Sequence, residues 1–156
     1  MPRIRCGSPP IASFVIVANN KKTVHQSEFF SNLLEPNSAI GHVDAIDPLT
    51  AEPKWRIPLT DHPIWSAILT TGGGLLFTGK ETGEFVALDV ENGKELWQFQ
   101  TGSGINAIPV TYTYQGRQYV TVLSGIGGLW WNVAREQLKD KVPQGGSVWT
   151  FALFPE

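Results

Sequence analysis

The sequence predicts an all-β fold, a partial β-propeller built from repeats of a four-stranded unit. Four residues recur 42 positions later at identical offsets: Gly41 as Gly83, Ala45 as Ala87, Asp47 as Asp89 and Trp55 as Trp97. A period of about 40–45 residues is typical of one propeller blade. The composition agrees, because 16 glycines, 11 prolines and 6 tryptophans with 17% charged residues suit short strands and tight turns.

Ten short segments rich in β-branched and aromatic residues, bounded by turn residues, are predicted as strands. In order they are Phe14–Ala18, His42–Ile46, Trp55–Pro58, Ala67–Thr71, Leu75–Thr78, Glu84–Asp89, Glu95–Gln100, Ile108–Tyr114, Arg117–Ser124 and Ser147–Leu153. The first follows Pro9-Pro10 and is short, so a strand is favoured over the apolar core of a signal peptide.

The connections carry turn chemistry. Glycines separate the strands at Thr71–Gly74 and Lys80–Gly83, and Asn92-Gly93 is a hairpin signal. Asp89 is expected to accept backbone N–H bonds in that hairpin, and Gly93 to supply its positive φ. The segment Asn132–Lys141 is predicted as a loop or short helix, and residues 20–40 as a long connection.

These elements divide the chain into one partial propeller domain, residues 1–156. The predicted parts are an N-terminal strand and connection (1–40), two blade repeats (41–82 and 83–128), an insertion (129–145) and a last strand (146–156). The last part contains a third, partial copy, because Gly146–Leu153 is similar to the stretch that begins at Gly83. One blade cannot bury its own faces, so two repeats require further blades or a partner.

Several functional classes find no support in the residues. The formal net charge of −2 gives no reason to expect nucleic acid or anionic lipid as a partner. Asp44, Asp47 and Asp61 are interpreted as turn formers, and the three histidines as surface or turn residues. No phosphate-binding loop, Ser-His-Asp pattern or paired-cysteine metal motif is visible.

Four stretches resemble a known family more closely than they resemble propellers in general. They are Trp65–Gly79, Phe99–Ile105, Pro109–Tyr112 and Gly116–Gly128, to which the tryptophan-docking pattern Ala87-x-Asp89-x-x-x-Gly93-Lys94-x-x-Trp97 is added. Together they are similar to the C-terminal blades of the quinoprotein alcohol dehydrogenases. These are eight-bladed propeller enzymes that use pyrroloquinoline quinone (PQQ). The earlier copy departs from the pattern, since Ala51 stands where glycine is usual, and this puts the tightness of its turn in question.

The resemblance implies roles for four residues. Trp65, in Pro63-Ile-Trp-Ser66, matches a family tryptophan beside the cofactor, and Asn19 matches an asparagine near the quinone oxygens. The family has a cavity-lining tryptophan after its Gly-Gly pair. Here Leu129 follows that pair and Trp130 comes next, so either residue is a candidate for the substrate cavity.

The resemblance also implies what this chain lacks. The family's catalytic aspartate, and the carboxylates that bind its calcium or lanthanide, lie in earlier blades, so no catalytic or metal residue is assigned here. We expect the chain to be the C-terminal portion of a PQQ-dependent alcohol dehydrogenase, which oxidises primary alcohols to aldehydes when complete. We expect the chain alone to be inactive. The family's alcohol substrate and cytochrome-type electron acceptor are the expected partners.

Two alternatives to a dehydrogenase fragment remain. One is a non-catalytic propeller-repeat module that binds a protein or completes a ring by self-association through exposed blade edges. The other is a gene remnant without a function of its own. The family is periplasmic, which is the expected location, although this chain has no convincing signal peptide and no apolar run long enough for a membrane span.

Overall fold

The fold is all-β, as the sequence predicts. The computed structural model describes residues 15–20, 41–59, 64, 66–128, 131–132 and 138–152. These contain ten strands: β1 (Val15–Asn20), β2 (Gly41–Ile46), β3 (Pro53–Leu59), β4 (Leu69–Thr70), β5 (Leu75–Gly79), β6 (Glu84–Asp89), β7 (Glu95–Gln100), β8 (Val110–Tyr114), β9 (Arg117–Ser124) and β10 (Ser147–Ala152). Within the predicted loop or short helix, Asn132 and Leu138 have helical backbone.

The strands form three antiparallel sheets. The first sheet has the order β1-β2-β3, the middle sheet β4-β5-β6-β7, and the third sheet β10-β9-β8. Each 42-residue segment therefore contributes strands to two sheets. Residues 41–82, for example, supply β2 and β3 to the first sheet and β4 and β5 to the middle one.

The first and middle sheets share one strand register. Ala45 lies opposite Trp55 in the β2–β3 pair, and Ala87 lies opposite Trp97 in the β6–β7 pair. In both pairs the register shifts immediately after the alanine. The small alanine leaves room for the large ring of the facing strand, so the same residue pair sets the same geometry twice.

The middle sheet is buried on both faces. One face places Leu76, Val86, Leu88 and Val90 against the first sheet, where Trp55 and Ile57 complete the cluster. The indole nitrogen of Trp55 donates a hydrogen bond of 2.8 Å to the Val90 carbonyl, which gives this large ring the polar partner it needs between two sheets.

The other face of the middle sheet packs on the third sheet through aromatic rings. Phe85 stacks with Phe151 at 5.6 Å between centroids, and Trp97 meets Phe151 edge-on at 5.1 Å. Trp149 lies 4.9 Å from Phe99. Aromatic pairs in these geometries add about 0.5–1.5 kcal/mol each beyond the area they bury, so this cluster joins the two sheets strongly.

The β6–β7 hairpin has the predicted turn. Asp89 accepts the Glu91 amide at 2.7 Å through its carboxylate, and Gly93 has φ = 72°. The β2–β3 turn is equally tight, although Ala51 replaces the glycine. Ala51 keeps φ = 59°, and its amide donates to the Asp47 carbonyl at 2.8 Å, the same bond that Gly93 makes to Asp89. The missing glycine therefore strains this turn without opening it.

Candidate functional site

The four residues assigned from the resemblance lie at the margins of what the structure describes. Trp65, Leu129 and Trp130 are outside the described residues. Asn19 is in β1, with its Cα paired to that of His42, but its side chain is outside what the structure describes. Their roles at a cofactor or substrate remain predictions, and the structure shows the framework that flanks them.

The chain on either side of position 65 is buried and anchored. Ile64 is 8% exposed and Ser66 is 4% exposed. The Ser66 hydroxyl lies 2.8 Å from the carbonyl oxygen of Ala107, in the connection that leads to the third sheet. This hydrogen bond ties the segment entering the middle sheet to the segment leaving it, so Ser66 is held in place.

A cluster of buried hydroxyls joins the middle and third sheets. We call Thr101, Ser103 and Ser124 the hydroxyl junction; all three are at most 5% exposed. The Ser124 hydroxyl donates to the Ser103 carbonyl at 2.8 Å, and the Thr101 hydroxyl oxygen lies 2.8 Å from that of Ser124. Buried hydroxyls that satisfy one another in this way hold the two sheets in one alignment.

The hydroxyl junction also holds both chain segments that flank residues 127–142. The Ser103 side chain accepts the Ile126 amide at 3.2 Å and donates to the Pro143 carbonyl at 2.8 Å. Nearby, a Cβ on Gly125 would lie 2.6 Å from the Gly145 carbonyl oxygen, so the two segments touch through their backbones. The start of the chain that leads to Leu129 and Trp130 is therefore fixed by Ser103 and by glycine packing.

Glu81 is a buried carboxyl beside this junction. It lies in the turn between β5 and β6, is 4% exposed, and its carbonyl oxygen would lie 2.5 Å from a Cβ on Gly104. Burial disfavours the charged form and raises the pKa of Glu81 to about 7. Sequence reasoning missed Glu81, because the surrounding Lys-Glu-Thr-Gly resembles an ordinary solvated turn.

The interpretation of Asp44 as a turn former is wrong, as is that of His42 as a surface or turn residue. Asp44 lies in the middle of β2 and is 4% exposed. Its carboxylate accepts two hydrogen bonds from Arg56, at 2.8 and 2.7 Å, and lies 3.2 Å from His42 Nε2. The hydrogen bonds from Arg56 hold the pKa of Asp44 below its usual value. The Ala45–Trp55 pairing could have revealed this contact, since it places Asp44 opposite Arg56.

Asp47 does form a turn, since its carboxylate accepts the Leu49 amide at 2.8 Å; Asp61 is outside the described residues. Across the described part of the chain, no group of three or more His, Cys, Asp or Glu side chains could hold a metal ion. Nor do the described residues include a helix long and apolar enough to cross a membrane. The described residues that flank the predicted site residues are thus mainly apolar or carry hydroxyl groups.

The chain matches a family model over residues 34–120, more than half its length. That model is described as PQQ, the glucose/ethanol/alcohol dehydrogenase β-propeller domain. The chain belongs to this family. The resemblance seen in the sequence is therefore confirmed, and so is the partial propeller.

Individual relatives agree with the family match. The quinoprotein alcohol dehydrogenase PedH of Pseudomonas putida is 44% identical over 117 residues, which are 73% of this chain and 19% of PedH. The 1-butanol dehydrogenase (cytochrome c) of Thauera butanivorans is 37% identical over 115 residues, 72% of this chain and 16% of that protein.

A solved structure of a europium-containing methanol dehydrogenase matches with a TM-score of 0.66 and 32% identity, covering 75% of this chain and 24% of the other. The chain thus spans about a fifth of the length of the curated relatives it matches.

Proposed function

We propose that this chain is the C-terminal portion of a PQQ-dependent alcohol dehydrogenase, which oxidises primary alcohols to aldehydes when complete. The observation that carries the proposal is the family match over residues 34–120, together with relatives named as quinoprotein alcohol dehydrogenases. The three antiparallel sheets support it, because the domain of the matching family is a β-propeller.

The chain's part in the reaction is to form one wall of the site. When bound, PQQ supplies the two-electron acceptor that alcohol oxidation needs. Trp65 offers an aromatic face for a flat cofactor, and the bond from Ser66 to Ala107 holds the backbone beside it. Leu129 and Trp130 follow the segment that Ser103 anchors and would exclude water from the alcohol.

The described residues fit such a wall but not a complete metal site, since no three of their metal-ligating side chains converge. A hard cation such as calcium or a lanthanide requires several oxygen ligands. We therefore assign the metal ligands and the catalytic base to the rest of the enzyme. The name of the europium-containing structural relative favours calcium or a lanthanide as the metal.

We also propose an electron acceptor and a location for the complete enzyme. A relative named 1-butanol dehydrogenase (cytochrome c) supports a cytochrome-type acceptor. Periplasmic location is proposed from the resemblance alone. Purified alone, with PQQ and calcium or a lanthanide, the chain should give no alcohol-dependent reduction of an artificial acceptor, because we assign the base and the metal ligands to the rest of the enzyme.

The decisive experiment is a chimera. Residues 41–152 would replace the matching region of PedH from Pseudomonas putida, to which this chain is 44% identical. The chimera should oxidise ethanol with added PQQ and metal. Trp65→Ala in the chimera should lower PQQ affinity by about 10–100-fold, the effect expected from removing an aromatic side chain that contacts a ligand.

The matched control is Leu49→Ala, at a side chain that is 89% exposed in the β2–β3 turn; it should leave PQQ affinity unchanged. A chimera that folds but gives neither PQQ binding nor turnover would contradict the proposal. Turnover by the isolated chain would contradict the assignment of the base and metal ligands to the rest of the enzyme.

The alternative, a non-catalytic module that binds a protein or self-associates, has one observation in its favour. The third sheet leaves exposed apolar side chains on the face turned away from the middle sheet, among them Val148 at 67% and Leu123 at 54%. Light scattering separates the two functions. A defined oligomer with a cooperative unfolding transition favours the module.

A further inference from the structure

The turn between β5 and β6 is held by the segment that follows β7. The Ile105 amide donates to the Lys80 carbonyl at 3.0 Å. The Thr101 amide donates to the Gly83 carbonyl at 2.9 Å, and the Thr101 hydroxyl oxygen lies 2.8 Å from the same carbonyl oxygen. Glu81 lies between these two attached residues of the turn and is 4% exposed. Its carboxyl group is thus enclosed where the turn meets that segment.

Gly104 connects this turn to the segment that follows β9. On one side, a Cβ at Gly104 would lie 2.5 Å from the Glu81 carbonyl oxygen, so the turn touches the glycine backbone directly. On the other side, the same Cβ would lie 3.2 Å from the Ile126 side chain, and the Gly104 carbonyl accepts the Gly125 amide at 2.8 Å. The neighbouring Ser103 hydroxyl accepts the Ile126 amide at 3.2 Å. A movement of the turn would therefore reach Gly125 and Ile126 through Gly104.

The enclosed carboxyl makes this contact sensitive to protons. Removing a carboxylate from water costs much more free energy than removing the protonated acid, so ionisation favours a conformation that returns Glu81 to solvent. Burial accordingly raises the pKa of Glu81 to about 7. The strands β5 and β6 are paired from Leu75 opposite Asp89 to Gly79 opposite Phe85, so the turn between them can shift without opening the sheet.

The other charged side chains on the turn and beside the packed segments are at least partly exposed. They are Lys80, which lies 3.4 Å from Glu95, and Glu84 on the turn, and Lys139, Asp140 and Lys141 between Leu138 and Val142, which pack on Ile126. The segments 101–105 and 125–126 contain no titratable side chain. Histidine ordinarily titrates between pH 5 and 8, but the described histidine, His42, is in the first sheet. Glu81 is therefore the buried titratable group at this contact.

We propose that Glu81 is a pH-sensitive positioning residue for the segment that follows β9. With its proton, Glu81 holds the β5–β6 turn against Gly104; without it, the turn moves toward solvent and releases the amides of Gly125 and Ile126. Ile126 packs with Leu138 and Val142, so these side chains lose a fixed neighbour when the contact opens. The inference concerns a local change in the folded chain and does not depend on the proposed catalytic function.

Native-state hydrogen exchange of the whole chain, followed by NMR at pH 5 and pH 8, tests the proposal. Protection factors correct each amide for the intrinsic effect of pH on exchange. They should fall by about 10–100-fold at Gly125 and Ile126, because the open state releases the Glu81 proton and the closed state retains it. The Thr71 amide donates to the Leu75 carbonyl at 2.8 Å, at the other end of β5, and should keep its protection.

Two variants assign the effect to one carboxyl group. Glu81→Gln should give equal protection of Gly125 and Ile126 at pH 5 and pH 8, because the amide has the shape of the protonated acid and does not ionise. Glu91→Gln, at an exposed glutamate, is the matched control and should keep the wild-type pH dependence. Circular dichroism would confirm that both variants fold. If the whole chain aggregates, the same exchange measurement is made by mass spectrometry on the PedH chimera.

Three results would overturn the proposal. One is equal protection of Gly125 and Ile126 at pH 5 and pH 8 in the wild-type chain. Another is the same pH-dependent fall in Glu81→Gln, which would assign the effect to a different group. The third is an equal fall at Thr71, which would place the effect in unfolding of the whole chain and not at the contact with Gly104.

Discussion

At the scale of single residues, Ala51 and Gln115 are non-glycine residues with a left-handed backbone conformation in a turn. Ala51 has φ = 59°, and the equivalent Gly93 has φ = 72°. A left-handed conformation costs an L-residue about 1–2 kcal/mol, which glycine avoids. The strain persists because the Asp47 carbonyl accepts the Ala51 amide and the pairing of β2 with β3 closes the turn.

Ala51→Gly should therefore raise the free energy of unfolding by about 0.5–1 kcal/mol. The relief of strain exceeds the extra backbone entropy that glycine gives the unfolded chain. The converse change, Gly93→Ala, should lower the free energy of unfolding by about 1–3 kcal/mol. The alanine would be strained at φ = 72°, and its Cβ would lie 3.0 Å from the Trp55 ring. Urea denaturation measures both, and a destabilising Ala51→Gly would contradict this account.

Glu81 should make stability depend on pH. Its pKa is about 7 in the folded chain, against 4.5 for an ordinary glutamate. The folded state thus binds the proton of Glu81 more tightly than the unfolded state does. The folded chain is therefore most stable below pH 4.5, where Glu81 is protonated in both states, and it loses this stability as the pH rises through 7. The free energy of unfolding lost in this way is of the order of 3 kcal/mol, from about 1.4 kcal/mol per pKa unit.

Glu81→Gln keeps the shape of the protonated side chain and should remove this loss of stability between pH 5 and 8. Urea midpoints across that range measure it. Glu91→Gln, at an exposed glutamate in the β6–β7 turn, is the matched control and should keep the wild-type pH dependence. If the urea midpoint of Glu81→Gln changes with pH as much as that of the wild-type chain, Glu81 is not the source of the pH dependence.

At the scale of elements, the middle and third sheets are joined by two kinds of contact. The aromatic cluster packs side chains of the two sheets against each other, while the hydroxyl junction sets the alignment through directional bonds. Ser103 extends this alignment to the segments at Ile126 and Pro143. Ile126 and Pro143 are thus held by a side chain from the connection between the middle and third sheets.

Ser124→Ala should destabilise the chain by about 1–3 kcal/mol, because it leaves the buried Thr101 hydroxyl without one of its partners. Ser147→Ala is the matched control. It also removes a serine hydroxyl, which accepts from the Trp149 indole, but at an exposed site where water replaces it. Thermal unfolding of both variants measures the difference, and equal effects would show that the junction contributes nothing beyond an exposed bond.

At the scale of the whole molecule, much of the fold could be predicted. The strands beginning at Leu75, Glu84, Glu95 and Arg117 lie where the residue pattern places them. They could be predicted because β-branched and aromatic runs between glycine turns are local signals. The first strand was placed about one residue early, and the strand predicted from Ala67 forms only at Leu69–Thr70.

The surroundings of the candidate site could be predicted only in part, and the reason is physical. The assignments of Trp65, Asn19, Leu129 and Trp130 rest on the resemblance and stay predictions, whereas Glu81 and the hydroxyl junction carry no local signal. A serine or glutamate in a Gly-rich turn has the same sequence signature whether it is solvated or buried. Only the packing of a second sheet decides which it is.

The sequence by itself determined most of the strands and the tight turns, because these depend on residues close together in the chain. The tertiary structure alone decided how the strands divide among three sheets, since every strand has two edges. It also decided that hydroxyls join two sheets and that Glu81 is buried beside them. These depend on contacts between distant segments, whose burial no local pattern encodes.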